Sequence, residues 1–353
     1  MIALPFSKKS KGKLGIAIHD GGVTIGQCDW SQGQYIHPVV LRVEKNPREL
    51  TSSDWQTLIS KASVVGTECS IALPPAFAHH QVLRLPNMSE SEIKEAAAWE
   101  MADRLGVDRS ALQMDAILIG SGGDVLAIAI EQSTLSCLLN PMYDAGLQPT
   151  SIEPQCVAVA RTMSMLHRRQ SDQAIVRSVL DFGMNDSAFM VLAGESLMFY
   201  KHLDYCGNAL IESIASHTGV TIDQANRMLE ETQATKKNND ISRAVRDATR
   251  AIHEAIATDA MKCIRHYGVT NRGPLSTQLI VTGSAGWNIN LANVLSGACN
   301  QKVVQDVSSK HIQHLPNSIR STKGWHISLG ASLAHLSTNK QRRGSDQFAR
   351  DVA

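Results

Sequence analysis

The residues best placed to do chemistry in this sequence are carboxylates and glycines at the ends of apolar runs. Val179-Leu-Asp-Phe-Gly183 ends an apolar strand in an acid and a turn, and a second and third strand follow up to Lys201. A carboxylate at a strand end, here Asp181, can hold magnesium, often through water. The turn after it is rich in backbone N–H donors, and Gly183 lacks a Cβ, so it can cradle phosphate oxygens. Leu279-Ile-Val-Thr-Gly-Ser-Ala-Gly286 reads as strand, glycine turn and helix start, a shape that lets backbone approach a flat ring closely. Each piece also has a plain reading. Asp-x-Gly turns are common, and Gly283 and Gly286 suit an ordinary strand-to-helix loop.

Several other chemistries drop out. Asp181-Phe-Gly183 spells the magnesium motif of protein kinases, but no Gly-rich loop, strand lysine or H-R-D-x-x-x-x-N accompanies it. Gly283-Ser-Ala-Gly286 has the wrong spacing for G-x-S-x-G. The sequence has no H-E-x-x-H, G-x-G-x-x-G or G-x-x-x-x-G-K-[ST]. His79-His80 at a strand start reads as surface or half-buried rather than metal-binding. The seven cysteines, at 28, 69, 137, 156, 206, 263 and 299, form no C-x-x-C and read as free thiols of a reducing compartment.

The elements that must position these residues come from a chain of 353 residues, long enough for two cored domains. Hydrophobic residues make up 43% and charged ones 19%, and 34 basic residues nearly balance 33 acidic ones, which argues against a general nucleic-acid binder. No run reaches the ~20 apolar residues of a membrane span. Residues 1–13 read as a lysine-bearing tail, and residues 338–353 as a polar one expected to be disordered. Leu14–Ile18 and Val23–Cys28 read as strands around a His19-Asp-Gly-Gly22 turn, whose paired glycines supply positive φ. Further strands are expected near 39–43 and 70–73, with a helix over 53–62. Residues 79–146 read β-α-β-β-α, with Ser89 and Glu92 at capping-box spacing and Ile93, Ala97, Met101 and Leu105 as a buried stripe. Strand 150–153 precedes a helix to about His167. After the 176–201 meander, helices are expected from Gly207, from Thr221 and from Ile241 to about Tyr267. A strand at 278–281, a helix over 290–296, a strand at 302–307 and a helix over 327–336 complete the chain. Leu14–Asp29 and Val179–Lys201 form a weak internal repeat, each strand, Gly-bearing turn, strand. Two such hairpins facing each other across a gap are the expectation of a duplicated α/β architecture.

In order along the chain, these pieces resemble the PilM family of type IV pilus assembly proteins, and the related MshI-type pilus proteins and FtsA. The resemblance runs from about Lys8 to Leu336. It rests on the lysines before Leu14-Gly-Ile-Ala-Ile18, on Leu85-Pro-Asn-Met-Ser-Glu-Ser-Glu-Ile93 with Ala98-Trp-Glu100, and on Asp144-Ala-Gly-Leu-Gln-Pro149 with Glu153 and Ala158-Val-Ala-Arg161. The Leu180–Gly183 hairpin, Gly207, Val281-Thr-Gly283 and Leu329-Gly-Ala-Ser-Leu333 follow in order.

The resemblance implies an actin-like (ribonuclease H-like) duplicated fold. Its domains would be 14–170, with 79–146 as the inserted subdomain, and 171–337, with a helical subdomain over about 207–275. It implies a nucleotide site of Asp20, Gly21, Gly22, Asp181, Gly183, Asn185, Gly207, Gly283, Ser284 and Gly286, with ATP and Mg2+ as candidate ligands and Asp181 on the metal side. It implies a cytoplasmic protein, peripheral at the inner membrane, that docks a cytoplasmic peptide of a PilN-like membrane protein beside residues 79–146 and could self-associate. Four departures point to weak or absent hydrolysis. Ala17 replaces the acid of the family's G-I-D-I-G and His19 its last glycine. Ala225-Asn-Arg-Met-Leu229 lacks the Glu and Lys of A-E-x-L-K, and Ser284 replaces a glycine. Alternatives on the same fold are an active pilus ATPase, a small-molecule kinase lacking a recognisable general base, and an FtsA-like division protein lacking an amphipathic C-terminal helix.

Overall fold

A computed structural model describes residues 10–19, 21–31, 34–120, 123–165, 175–194, 196–234, 239–271, 275–286, 288–305 and 314–335. The chain divides into two compact units. The first comprises residues 1–77, 131–168 and 314–353, the second 78–130 and 169–313.

The first unit is built on one sheet. Strands β1 (Ser10–Lys11), β2 (Leu14–His19), β3 (Gly22–Ser31), β4 (Gln34–Val43), β5 (Glu68–Leu73) and β9 (Gln148–Pro154) form it. β2 pairs antiparallel with β3 and parallel with β5, while β3 also takes β4 and β5 takes β9. The main run of the sheet is thus β4-β3-β2-β5-β9. β3 and β4 are longer than the sequence indicates, because polar residues at Gln27, Asp29 and His37 interrupt the alternation. A register shift lies between Gln27 and Asp29, and His37 has φ of 47°. Such bulges bend a strand without ending it. Helices α1 (Ser52–Ala62) and α3 (Gln132–Asp144) pack together, and α4 (Gln155–Met165) follows β9 directly. After the short α9 (Asn317–Arg320) comes α10 (Trp325–Ser332), all of whose residues are buried. α10 lies against β2, β3 and α4. Gly330 permits that contact, since a Cβ there would lie 2.2 Å from the Ala158 carbonyl oxygen.

The second unit holds two sheets. β10 (Val176–Phe182), β11 (Ser187–Ala193), β12 (Ser196–Leu203), β13 (Gln278–Thr282) and β14 (Lys302–Gln305) run in the order β12-β11-β10-β13-β14. β10 pairs antiparallel with β11 and parallel with β13. Counted within its own unit, each main sheet therefore has strand order 3-2-1-4-5, with an antiparallel meander followed by two parallel strands. The repeat read from two hairpins extends to five strands in each unit.

Helices α5 (Gly207–Thr218), α6 (Ile222–Ala234), α7 (Asp240–Asn271) and α8 (Ile289–Ala298) cover this sheet. The reciprocal bonds of Thr221 and Gln224 cap α6 as the spacing predicts. On α7, Val245, Ala248 and Ile256 are buried and Ile241 and Ile252 half-buried, so the stripe read from the sequence is the stripe that packs. A three-stranded sheet of β6 (His79–Arg84), β8 (Asp124–Glu131) and β7 (Leu112–Ile119) packs on α2 (Glu90–Leu105) through Ile93, Ala97 and Met101. Ser89 and Glu92 form the expected capping box on α2. Backbone from this small sheet reaches β12, where the Gly120 N–H donates to the Leu197 carbonyl at 3.2 Å.

Cys28, Cys69, Cys156, Cys263 and Cys299 are buried free thiols, and burial pushes the first two up to about 12, so they are inert packing groups. Among the described residues no helix is long and apolar enough to cross a membrane.

Candidate functional site

In the second unit the expected residues converge on the end of β10. Asp181 is the penultimate residue of that strand, 5% exposed, and pairs in register with Ala188 of β11 and Thr282 of β13. The turn beyond it is closed by the Gly183 N–H donating to the Asp186 carbonyl at 3.0 Å. Gly183 is needed for close approach, not for a left-handed backbone. A Cβ on it would lie 2.7 Å from that carbonyl oxygen.

Two other segments are tied to this turn. The first N–H groups of α5 serve the hairpin, with Gly207 donating to the Gly183 carbonyl at 2.8 Å and Asn208 to that of Met184 at 2.9 Å. The Asn208 side-chain amide donates to Asn185 Oδ1. Helix N-terminal amides lack partners within the helix, and here the hairpin supplies two. The glycine turn after β13 reaches in from the other side, where the Ala285 N–H donates to the Phe182 carbonyl at 2.9 Å. Gly283 has φ of 90°, and a Cβ there would sit 2.5 Å from the Phe182 carbonyl oxygen and 2.7 Å from Asp181 Oδ1. A Cβ on Gly207 would collide with Met184 Sδ and with Ala285 Cβ. Gly286 closes the turn by donating to Gly283 O at 3.1 Å, and its carbonyl accepts from Gln305 Nε2 at 3.0 Å. Asp181, Gly183, Asn185, Gly207 and Gly283 are thus drawn together, with Ser284 half-buried on the same turn. The protein's own backbone explains the glycines. Asn208, Ala285 and Gln305 were missed by sequence reasoning, because all three act through main-chain or ordinary amide bonds that no motif marks.

In the first unit, Asp20 lies outside the described residues. Gly21 is exposed and Gly22 buried. Neither has the positive φ expected of them. Gly22 is instead required because a Cβ would approach the Val43 carbonyl oxygen to 2.4 Å. His19 closes the strand, with Nε2 3.2 Å from Thr24 Oγ1. Thr24 donates to the Lys323 carbonyl at 2.8 Å and receives Arg42 Nη1 at 3.3 Å. The imidazole rests on Gly324, whose φ is 80° and whose Cβ, if present, would lie 2.4 Å from His19 Nε2.

Register puts the two hairpins on one footing. Ala17 pairs with Thr24 and, in the last parallel pair of β2 and β5, with Ala72. Asp181 pairs with Ala188 and, in the last parallel pair of β10 and β13, with Thr282. Ala17 therefore occupies in the first sheet the place that Asp181 occupies in the second. Among the described residues no three His, Cys, Asp or Glu side chains gather as a metal would require. Asp181, with Asp186 on the turn beside it, supplies carboxylate oxygen, a donor type that magnesium accepts.

A 3-2-1-4-5 sheet in each of two units, with a glycine-rich turn packed on the second hairpin, defines an α/β protein of the actin-like class. No protein-family model and no curated protein matches the sequence. Solved structures share the fold, and two of them illustrate the likeness to this chain. A PilM-PilN type IV pilus biogenesis complex aligns over 91% of this chain and 98% of its own, at 17% identity and a TM-score of 0.64. The ethanolamine utilization protein EutJ from Carboxydothermus hydrogenoformans aligns over 94% of this chain and 90% of its own, at 11% identity and a TM-score of 0.51. The fold is the PilM-like, actin-like one that the sequence resemblance implied.

Proposed function

We propose that this chain is an actin-like scaffold of type IV pilus assembly or a related secretion platform. It works at the cytoplasmic side of the inner membrane by holding a short peptide of a PilN-like membrane protein. The observation that carries this reading is the likeness to the PilM-PilN structure over nearly the whole of both chains. Nucleotide, in this reading, is a structural ligand. Asp181 would hold magnesium through water, and the turns at 183–186 and 283–286 would line the nucleotide. Magnesium there neutralises phosphate charge. Hydrolysis is weak or absent because the first hairpin offers Ala17 where the second offers a carboxylate, and metal positioning supplies much of phosphoryl-transfer catalysis.

The test has two arms. ATP is titrated into the purified protein with and without magnesium while phosphate release is followed. The scaffold reading expects binding with no turnover above background. Brisk turnover lost in Asp181→Ala would establish the second reading, an active ATPase, which the retention of Asp181 favours. In the other arm, peptides from the cytoplasmic ends of neighbouring pilus membrane proteins are tested for capture. Failure of all of them overturns the scaffold reading.

A further inference from the structure

The outward face of α2 carries an aromatic side chain that the fold does not use. Trp99 is 62% exposed, on the side of the helix opposite the buried Ile93, Ala97 and Met101. Glu92, Glu95, Trp99 and Asp103 follow at spacings of three, four and four, so they form one exposed stripe. The cations of the helix are engaged at its flanks, Arg104 with Glu100 at 2.8 Å and Lys94 with Asp115 at 3.0 Å. Asp103 makes no ion pair among the described residues.

The chemistry this face accepts is visible on it. Arg109, from the single turn Arg109–Ala111, places its guanidinium carbon 5.2 Å from the Trp99 ring centroid and Nη1 3.9 Å from Glu95 Oε1. A guanidinium is seated between an indole and a carboxylate, the arrangement favoured by the ring quadrupole and the fork of donors. It covers one face of the ring only, given the exposure of Trp99. Asp103, four residues on in the same exposed stripe, offers a second cation a carboxylate to meet.

We propose that this face of α2 is a docking surface for a basic, arginine-bearing segment of a protein partner. An arginine of that segment stacks on Trp99 and pairs with Asp103 or, by displacing Arg109, with Glu95. The acidic stripe disfavours nucleic acid and anionic lipid and selects a cationic peptide. The surface stands on α2 and its neighbouring turn alone, and survives if the pilus reading fails.

The test uses the full chain and a fluorescein-labelled nonapeptide of alternating Arg and Gly, with binding read by anisotropy at low salt. Saturable binding is expected, weakened at least fivefold by Trp99→Ala and by Asp103→Lys, each checked for an unchanged thermal melt. Arg109→Ala frees the ring and tightens binding at least twofold. Arg104→Ala removes the same charge from the flank and leaves binding within that margin. A lysine-glycine peptide binds more weakly than the arginine one. The proposal is overturned by any of four results. These are no saturation, binding indifferent to Trp99→Ala, equal tightening by Arg104→Ala and Arg109→Ala, or self-association of the chain that Trp99→Ala abolishes.

Discussion

The backbone amide of Ala285 donates to the carbonyl of Phe182 at 2.9 Å, across the contact where Gly283 lies flat against the end of β10. This bond joins the glycine turn to the hairpin with no room for a side chain between them. Gly283→Ala should therefore cost about 1–3 kcal/mol, from a strained φ and a Cβ pressed on backbone. Urea denaturation measures it. Gly21→Ala, where a Cβ meets nothing within 4 Å, is the control expected to change little.

Asp181→Asn should leave magnesium-free nucleotide binding nearly unchanged and remove most of the gain that magnesium brings. Calorimetry with and without the metal separates the two. If magnesium helps both proteins equally, the carboxylate is not on the metal side.

The Arg161 guanidinium grips Glu153 with two bonds of 2.7 Å and gives a third, of 2.8 Å, to the Gly330 carbonyl of α10. Both side chains are nearly buried. Removing one partner strands a charge, so Glu153→Gln or Arg161→Met should each cost about 3–5 kcal/mol. The pair Glu153→Leu with Arg161→Met should cost less than either single change, as a denaturant midpoint series would record.

Burial holds the imidazoles of His80 and His253 neutral, lowering each to about 4. An unfolded histidine titrates near ~6.5. As pH falls below that value the unfolded chain takes up protons that the folded chain refuses. Stability should then drop by up to about 1.4 kcal/mol per pH unit for each histidine, until the folded groups titrate near pH 4. Unfolding midpoints between pH 7 and 5 check this, and His253→Leu should flatten the slope.

Much of the fold was legible because its signals are periodic. The apolar stripes of α2 and α7 and the caps at Ser89 and Thr221 survive unchanged from sequence to packing. β3 and β4 were underread, because a bulge breaks alternation without breaking the strand. The candidate site was legible at Asp181, Gly183 and Gly283, where an acid and glycines punctuate strand ends. The positive φ expected of Gly21 and Gly22 was wrong, since their dipeptide has the same composition whether it turns or simply lets Val43 pass close by. The ties through Asn208, Ala285 and Gln305 could not be read, because an amide bond between distant segments leaves no spacing rule.

The two N–H bonds from Gly207 and Asn208 to the hairpin turn make α5 a lever. A helix is stiff and rises ~1.5 Å per residue, so a shift of residues 183–186 is transmitted roughly 18 Å, to the far end at Thr218. The turn and the far end of α5 are thus joined by one rigid element rather than by loops.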